Sequence, residues 1–275
     1  MSVIIGIDVG GSTTKIVGYT AGGNFISTMQ VTAADPVTSA YGALGKYLKE
    51  NKIALSDIKQ ILLTGVGASF FEDNIYGVPT KSVDEFVAVG LGGLALSGKD
   101  EALIVSMGTG TAFVRASKSN IVHIGGSGVG GGTLMGLCGK LVGASRFETI
   151  IEKAAGGSLS TVDLAISDIS KGVITTLPPS TTASNFGKMQ DTASDADVTL
   201  GVMNMVFQTI GMLAVFACRN DSVSDVVLTG MLSKLPQAGE IFSSLEKLHN
   251  INFIIPENSI FATAVGAALS YIQGY

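Results

Sequence analysis

Short apolar stretches alternate with segments of helical periodicity along the first hundred residues. Residues 3–7 have the length and β-branched composition of a strand, and after a glycine-rich turn the chain becomes apolar again at residues 15–19. Residues 37–51 place apolar side chains at helical spacing, a further strand is predicted over residues 58–64, and a second helix over residues 84–97. Strands that alternate with helices in this way indicate an α/β architecture.

The second part of the chain repeats the opening pattern. Residues 102–114 form a strand, a Gly-Thr turn and a returning strand, about a hundred residues after the first such unit. A repeat of that size indicates duplicated half-domains with a site between them rather than a short-period solenoid. We therefore predict two related lobes, residues 1–100 and residues 101–275.

One stretch has to be considered as a membrane span. Residues 198–218 contain no charged side chain and have roughly the length that crosses a bilayer. The stretch also contains the polar residues Asn204, Gln208 and Thr209, which favours a helix buried in the protein or in a dimer interface. We predict no membrane association.

Composition narrows the class of partner and the compartment. The chain has 275 residues, of which 36 are glycine and 46% are hydrophobic, with no collagen-like period, so it is a packed protein that turns tightly. Its net charge of −5 without a basic run gives no support for a nucleic-acid partner. The first residues lack a basic, apolar leader, and Cys138 and Cys218 show no metal-binding spacing. A cytoplasmic protein with two free thiols is expected.

Glycine-rich turns follow the strands, and the first carries charge as well. A backbone without Cβ can approach an anion closely and present successive N–H groups to it. In the first turn a carboxylate at the strand end is suited to hydrated Mg²⁺, and a lysine to neutralising phosphate oxygens. The alternative is a plain hairpin with an incidental acid. The candidate residues for phosphate and Mg²⁺ are Asp8, Gly10, Gly11, Ser12, Thr13, Thr14 and Lys15, with Asp8 as the metal residue.

Two further turns add to this prediction. Thr109 and Gly110 belong to the Gly-Thr-Gly-Thr turn of the second unit, which is weak evidence alone and stronger as an echo of the first. Residues 125–132 hold six glycines just before a helical pattern, where helix N–H groups favour an anion, although a flexible linker is the alternative. No P-loop or G-x-G-x-x-G fingerprint is present, which disfavours those nucleotide-binding folds.

An Asp-x-Gly-Gly turn followed a hundred residues later by Gly-Thr-Gly-Thr resembles the superfamily of actin, hexokinase and the heat-shock ATPases. Within that superfamily the chain resembles type II pantothenate kinase, through motifs in the same order at residues 83–86, 106–111, 125–132, 161–164 and 182–187. The resemblance implies duplicated RNase H-like lobes, of the actin-like ATPase type, with a nucleotide cleft between them. It also implies a homodimer, with residues 198–218 at its interface.

The resemblance further implies ATP-dependent phosphorylation of the pantothenate hydroxyl, the first step towards coenzyme A. Glu85 then becomes the general base, whereas the residue alone would be a first-turn helix acid stabilised by the helix dipole. Thr109 is implied to contact phosphate. The other residues implied at the nucleotide are Gly131, Gly132, Thr133, Leu134 and Met135, with Phe147 against the adenine or, equally, in the core.

One departure concerns the acceptor. The family has an arginine that helps to hold pantothenate two positions before the glycine loop, where this chain has His123. Arg115 is a candidate to supply the missing charge. Because histidine replaces the arginine, other functions stay possible for the chain. They are an N-acetylglucosamine-type sugar kinase, an activator ATPase with Cys138 as an iron–sulfur ligand, or a nucleotide-binding regulator without catalysis.

Overall fold

The computed structural model of the protein describes residues 2–32, 35–170, 177–221 and 223–275. Its first part forms a five-stranded sheet in the order β3-β2-β1-β4-β5, in which β1 is antiparallel to β2 and parallel to β4. The elements of this part are β1 (Val3–Val9), β2 (Thr14–Thr20), β3 (Phe25–Val31), α1 (Pro36–Asn51), β4 (Ile58–Thr64), β5 (Thr80–Ser82) and α2 (Glu85–Ser97).

The second part repeats that sheet with larger helical additions. Its strand order is β12-β11-β6-β7-β8, with β6 antiparallel to β7 and parallel to β11, and two short strands, β9 and β10, form a separate antiparallel pair. The elements are β6 (Glu101–Met107), β7 (Thr111–Ser117), β8 (Ile121–Ser127), α3 (Gly131–Val142), α4 (Phe147–Ala154), β9 (Leu164–Ala165), α5 (Ile166–Ile169), β10 (Thr182–Ser184), α6 (Asp195–Asp221), β11 (Asp225–Thr229), α7 (Pro236–His249), β12 (Asn252–Ile254) and α8 (Ala262–Gln273).

The two sheets have the same topology. Each begins with a three-stranded antiparallel meander and continues with two parallel strands on the other side of the first strand. The repeat that the sequence predicts is therefore present in the strand order. The division into residues 1–100 and 101–275 stays a prediction, and α8, near the end of the chain, packs on the first sheet through Ala264 and Ala268 against Gly6.

Helices α2 and α8 lie between the sheets and cross at glycines. A Cβ on Gly92 would lie 1.8 Å from the carbonyl oxygen of Ala262, and one on Gly266 would lie 1.8 Å from that of Ala88. Backbones this close leave no room for a side chain on either helix. Helix α2 packs its other side against the second sheet, where Val89 joins a core cluster, so the crossing links the two sheets.

Helices α1, α3, α4, α6 and α7 cover the outer faces of the sheets. Helix α1 packs on the first sheet, and α3, α4, α6 and α7 enclose the largest core on the second. Helix α6 is long and apolar enough to span a membrane by length and composition, yet 56% of its most apolar window is buried in the protein. Val202, Phe207 and Ile210 on this helix are fully buried, so the predicted apolar helix is largely a core element of the second lobe.

Candidate active site in the cleft

The carboxyl end of β1 brings polar side chains to the face of the first sheet that meets α2 and α8. Asp8 pairs across the sheet with Lys15 on β2 and with Thr64 on β4. Because side chains alternate along a strand, Ile7 faces the α1 side and Asp8 faces the opposite side. All three polar residues are buried, with 7% of Asp8, 8% of Lys15 and 0% of Thr64 exposed.

The two oxygens of the Asp8 carboxylate have different neighbours. Lys15 Nζ donates a hydrogen bond to Oδ2 at 3.2 Å and forms an ion pair with it. Oδ1 lies over the turn that follows β4, only 2.6 Å from the place where a Cβ on Gly65 would be. Gly65 also has a φ of +86°, so both its backbone conformation and the nearby carboxylate require glycine.

The predicted first turn is compact and partly open to solvent. Gly10 N donates to the carbonyl oxygen of Thr13 at 3.1 Å, while Gly11 and Ser12 are exposed. Thr14 differs from the others because its hydroxyl accepts a hydrogen bond from Ser39 of α1 at 2.6 Å and is buried. The side chain of Thr14 therefore belongs to the interface with α1.

Glu85 is the first residue of α2, and the local sequence places it there. The Asp84 carboxylate caps the helix by accepting hydrogen bonds from Phe86 N at 2.9 Å and Val87 N at 3.0 Å. The pKa of Glu85 is raised above its ordinary value, chiefly by loss of hydration and then by the negative charges of Asp8 and Asp84, whereas Lys15 opposes the shift. Glu85 is exposed at the start of the helix, yet it lies close enough to the strand-end pair to sense its charge.

The second and third glycine turns bind each other. Gly131 N donates to Gly108 O and Gly132 N to Thr109 O, both at 2.8 Å. A Cβ on Gly130 would lie 2.6 Å from Thr109 O, so the turns touch backbone to backbone. The first N–H groups of α3 are therefore already used in joining the turns, which leaves fewer free donors for an anion than the sequence predicts.

The other predicted nucleotide residues fall into two groups. Thr133 caps the glycine turn: its hydroxyl accepts from Gly130 N at 3.2 Å and donates to Gly128 O at 2.9 Å. Leu134 is fully buried in the core of the second lobe and its backbone N–H donates to Gly130 O at 3.0 Å, so neither is available to a ligand. Met135 is half-buried beside that core. Phe147 lies beside the third turn, with its ring edge 3.5 Å from the position of a Cβ on Gly131.

His123 and Arg115 lie on opposite faces of the second sheet. The His123 ring stacks on Phe86, the residue that follows Glu85 in α2, with ring centroids 3.8 Å apart and an angle of 7° between the planes. Val114 faces α2 and the neighbouring Arg115 therefore points to the other face, where it forms an ion pair with Glu101 at 2.6 Å. The expectation that Arg115 replaces the missing arginine at the site is corrected by this geometry.

One more glycine turn, at Gly230 after β11, is not among the turns that the sequence predicts. Gly230 follows β11 as Gly65 follows β4, with the same φ of +86°, and its Cβ would lie 2.5 Å from Met107 O. The turn therefore contacts the backbone at the end of β6, directly before Gly108. The signal was a Thr-Gly step after an apolar strand in each repeat, at Thr64 and at Thr229.

The metal-binding capacity of the site depends on a single carboxylate. Among the described residues no group of three or more His, Cys, Asp or Glu side chains could hold a metal ion. The hydroxyl of Thr64, buried beside Asp8, has no hydrogen-bond partner in the described part of the chain. One carboxylate with an unsatisfied hydroxyl behind it suits Mg²⁺, which keeps most of its water and binds through one or two carboxylates and substrate phosphates.

Comparisons with known proteins identify the family of the chain. Residues 101–245 match the Fumble family. Type II pantothenate kinase of Bacillus cereus (strain G9842) is 28% identical over 98% of both chains, and that of Oceanobacillus iheyensis is 28% identical over 97% of this chain and 98% of its own.

Solved structures show the same fold at lower identity. The activator of the 2-hydroxyisocaproyl-CoA dehydratase from Clostridium difficile with bound ADPNP aligns with a TM-score of 0.71 and 17% identity over 99% of this chain and 95% of its own. A ROK family protein from Streptococcus pneumoniae in complex with sucrose aligns with a TM-score of 0.60 and 13% identity, covering 99% and 98% of the two chains. The predicted fold class, duplicated actin-like ATPase lobes, is confirmed.

Proposed function

The chain belongs to the Fumble family, and from this premise we propose that it transfers the γ-phosphoryl group of ATP to the hydroxyl of pantothenate. The predicted resemblance to type II pantothenate kinase and the prediction of a kinase are confirmed at the level of the family, because full-length relatives carry that name. The choice of acceptor and the residue roles are our proposal.

The observation that carries the proposal is the position of Glu85. Its carboxyl group lies at the head of α2, within electrostatic reach of the buried Asp8–Lys15 pair, and its pKa is raised. Phosphoryl transfer needs positioning and charge neutralisation, with one group to accept the proton of the attacking hydroxyl. Glu85 takes that proton, and its raised pKa brings it nearer to the pH at which a base is most effective.

ATP and Mg²⁺ fit the residues around this carboxylate. The glycine turns at residues 10–11 and 108–110 and the loop of residues 125–132 are proposed to surround the nucleotide phosphates, with Lys15 as a cationic contact. Asp8 is the proposed holder of Mg²⁺, through the oxygen that Lys15 does not occupy. The cation, when bound, neutralises charge on the transferred phosphoryl group.

The acceptor is proposed to lie between Glu85 and His123. Phe86 covers one face of the imidazole by stacking, which leaves the ring edge and the opposite face of His123 for contact with a ligand. An imidazole can bind a carboxylate as a cation or a hydroxyl as a neutral donor, and it does not offer the planar fork of an arginine. The acceptor preference of this chain is therefore the property in which it is most apt to differ from its relatives.

The experiment is an ADP-release assay with a panel of acceptors. Pantothenate, pantetheine and N-acetylglucosamine are supplied in turn, with and without Mg²⁺, and Glu85→Gln serves as the catalytic control. We expect Mg²⁺-dependent release with pantothenate that the control abolishes. Turnover with the amino sugar alone contradicts the proposed acceptor, and nucleotide binding without turnover on any acceptor contradicts a kinase in favour of a regulator.

The burial of Cys138 argues against the alternative hypothesis of an activator ATPase that holds an iron–sulfur cluster. Cys138 is fully buried in the core of the second lobe, and burial raises the pKa of its thiol to about 11. A cluster ligand has to be a thiolate that reaches the metal. Cys138 is suited to neither requirement, although the solved activator from Clostridium difficile shares the fold.

We propose a cytoplasmic homodimer that pairs along the exposed side of α6. Leu213 and Phe216 on this helix are 40% and 53% exposed, although the rest of the same stretch is largely core. Light scattering after size exclusion gives the mass directly. A particle of twice the chain mass of 28.1 kDa is expected, and a monomer at micromolar concentration contradicts the proposal.

A further inference from the structure

Thr64 has a buried hydroxyl to which the proposed mechanism assigns no role. Its hydroxyl is fully buried and has no hydrogen-bond partner within the described residues. Buried hydroxyls are normally hydrogen-bonded, because burying a polar group without a partner is unfavourable. A valine would fill the same space without this cost, so the buried hydroxyl indicates a hydrogen bond that forms in another state of the site.

The second lobe contains an internal comparison for this residue. Thr229 ends β11 as Thr64 ends β4, and each is followed by a glycine with a φ of +86°. The Thr229 hydroxyl donates to the carbonyl oxygen of Val105 in the neighbouring strand at 3.4 Å. The same local geometry thus allows a backbone partner, and within the described residues the copy beside Asp8 lacks one.

The neighbour of Thr64 across the sheet is Asp8. The two residues are paired in parallel register and face the same side of the sheet, and Asp8 Oδ1 lies over the Thr64–Gly65 step. The hydrogen bond that the structure gives the Asp8 carboxylate comes from Lys15, at Oδ2. When Lys15 turns to a phosphate and Asp8 turns to a cation, the carboxylate loses this donor.

We propose that Thr64 is a positioning residue for the cation site, whose hydroxyl donates a hydrogen bond to the Asp8 carboxylate when Asp8 binds the divalent cation. Carboxylates that hold metals are oriented by hydrogen bonds from groups behind them, and losing such a group typically weakens the metal site by about 10–100-fold. Thr64 lies behind Asp8 and is sealed from solvent, as this role requires. The inference rests on the proposed use of Mg·ATP and not on the identity of the acceptor.

The test replaces the hydroxyl and measures cation binding without turnover. Mn²⁺ is titrated against the protein with a non-hydrolysable ATP analogue, and free Mn²⁺ is followed by electron paramagnetic resonance. Thr64→Val is expected to raise the Kd of Mn²⁺ at least about 10-fold. Thr64→Ser, which keeps the hydroxyl, is expected to restore most of the affinity.

Thermal unfolding of the ligand-free variants separates this role from a structural one. Thr64→Val removes a hydroxyl without a partner, so its Tm is expected to equal or exceed that of the wild type. The matched control is Thr229→Val, which removes a hydroxyl with a partner, lowers the Tm and leaves Mn²⁺ binding unchanged. Unaltered Mn²⁺ affinity in Thr64→Val overturns the inference, and so does a lowered Tm accompanied by equal weakening in Thr64→Ser.

The outcome is independent of the acceptor assay. If pantothenate is not phosphorylated while Thr64→Val still weakens Mn²⁺ binding, the proposed function fails and the role of Thr64 stands. If pantothenate is phosphorylated and Mn²⁺ binding does not change, the role of Thr64 fails alone.

Discussion

Replacement of Gly92 by alanine is expected to be the most destabilising single-methyl change in α2. The new Cβ would lie 1.8 Å from Ala262 O and 2.6 Å from the carbon of the same carbonyl, whereas ordinary contacts begin near 3.4 Å. The crossing therefore has to open by about 1.6 Å, and the obstacle is helix backbone rather than a flexible side chain. Gly266 of α8 is equally close to the backbone of Ala88 in α2. Because the helices touch at both points, a shift of α8 along the crossing does not relieve the clash.

The expected loss of folding free energy is the cost of overpacking minus the gain from the higher helix preference of alanine. Overpacking a core costs about 1–3 kcal/mol and occasionally more, and a rigid backbone contact belongs at the upper end. Alanine regains about 0.5–1 kcal/mol over glycine within a helix. A net loss of about 2–3 kcal/mol is expected, which lowers the Tm of a chain of this size by about 4–10 °C.

Gly45→Ala is the matched control. Gly45 is an exposed residue of α1, and a Cβ there meets nothing within 4 Å. The same substitution should stabilise the protein by about 0.5–1 kcal/mol, because only the helix preference changes. Urea and thermal unfolding of both variants are compared. Equal effects of the two substitutions, or an unchanged Tm for Gly92→Ala, would refute the account of the crossing.

Three further predictions concern the charged residues of the cleft. Glu85→Gln should lower kcat by about 10²–10⁴-fold and leave the Kd of nucleotide unchanged by calorimetry. Asp84→Asn keeps the helix cap but removes a charge that raises the pKa of Glu85, so the acid limb of kcat/KM should move to lower pH. An unmoved limb would contradict Glu85 as the titrating base. Asp8→Asn should raise the Mg²⁺ concentration for half-maximal rate, and an unaltered requirement argues against its metal role.

The parts of the fold that the sequence predicts well depend on local patterns. β1 and β2 were predicted from β-branched runs around a glycine turn, and the structure pairs them with Asp8 opposite Lys15. The start of α2 was predicted at Asp84, and the structure makes that residue the cap. In both cases the signal and the contact lie within about ten residues, so periodicity and turn chemistry are sufficient.

The parts that were missed depend on contacts between distant segments. Gly92 and Gly266 are close in space although they are far apart in the sequence, and nothing in either helix alone indicates its partner. The face of Arg115 was equally hidden, because Phe113 and Val114 are both buried and the apolar pattern of β7 shows no alternation. Gly230 could have been found, since the Thr-Gly step at its strand end repeats that of Thr64.

The two lobes share a topology but differ in what they bring to the cleft. The strand-end pair of the first lobe is Asp8 with Lys15, whereas the corresponding pair of the second is Ser106 with Ala112, which carries no charge. The first lobe and α2 therefore hold the groups proposed for the cation and the base, and the second lobe supplies glycine backbone. Phosphoryl transfer then requires the charged groups of the first lobe and the glycine turns of the second lobe to lie at a fixed separation. The crossing of α2 and α8 sets that separation, so Gly92→Ala should lower kcat more than Gly45→Ala even where both variants are fully folded.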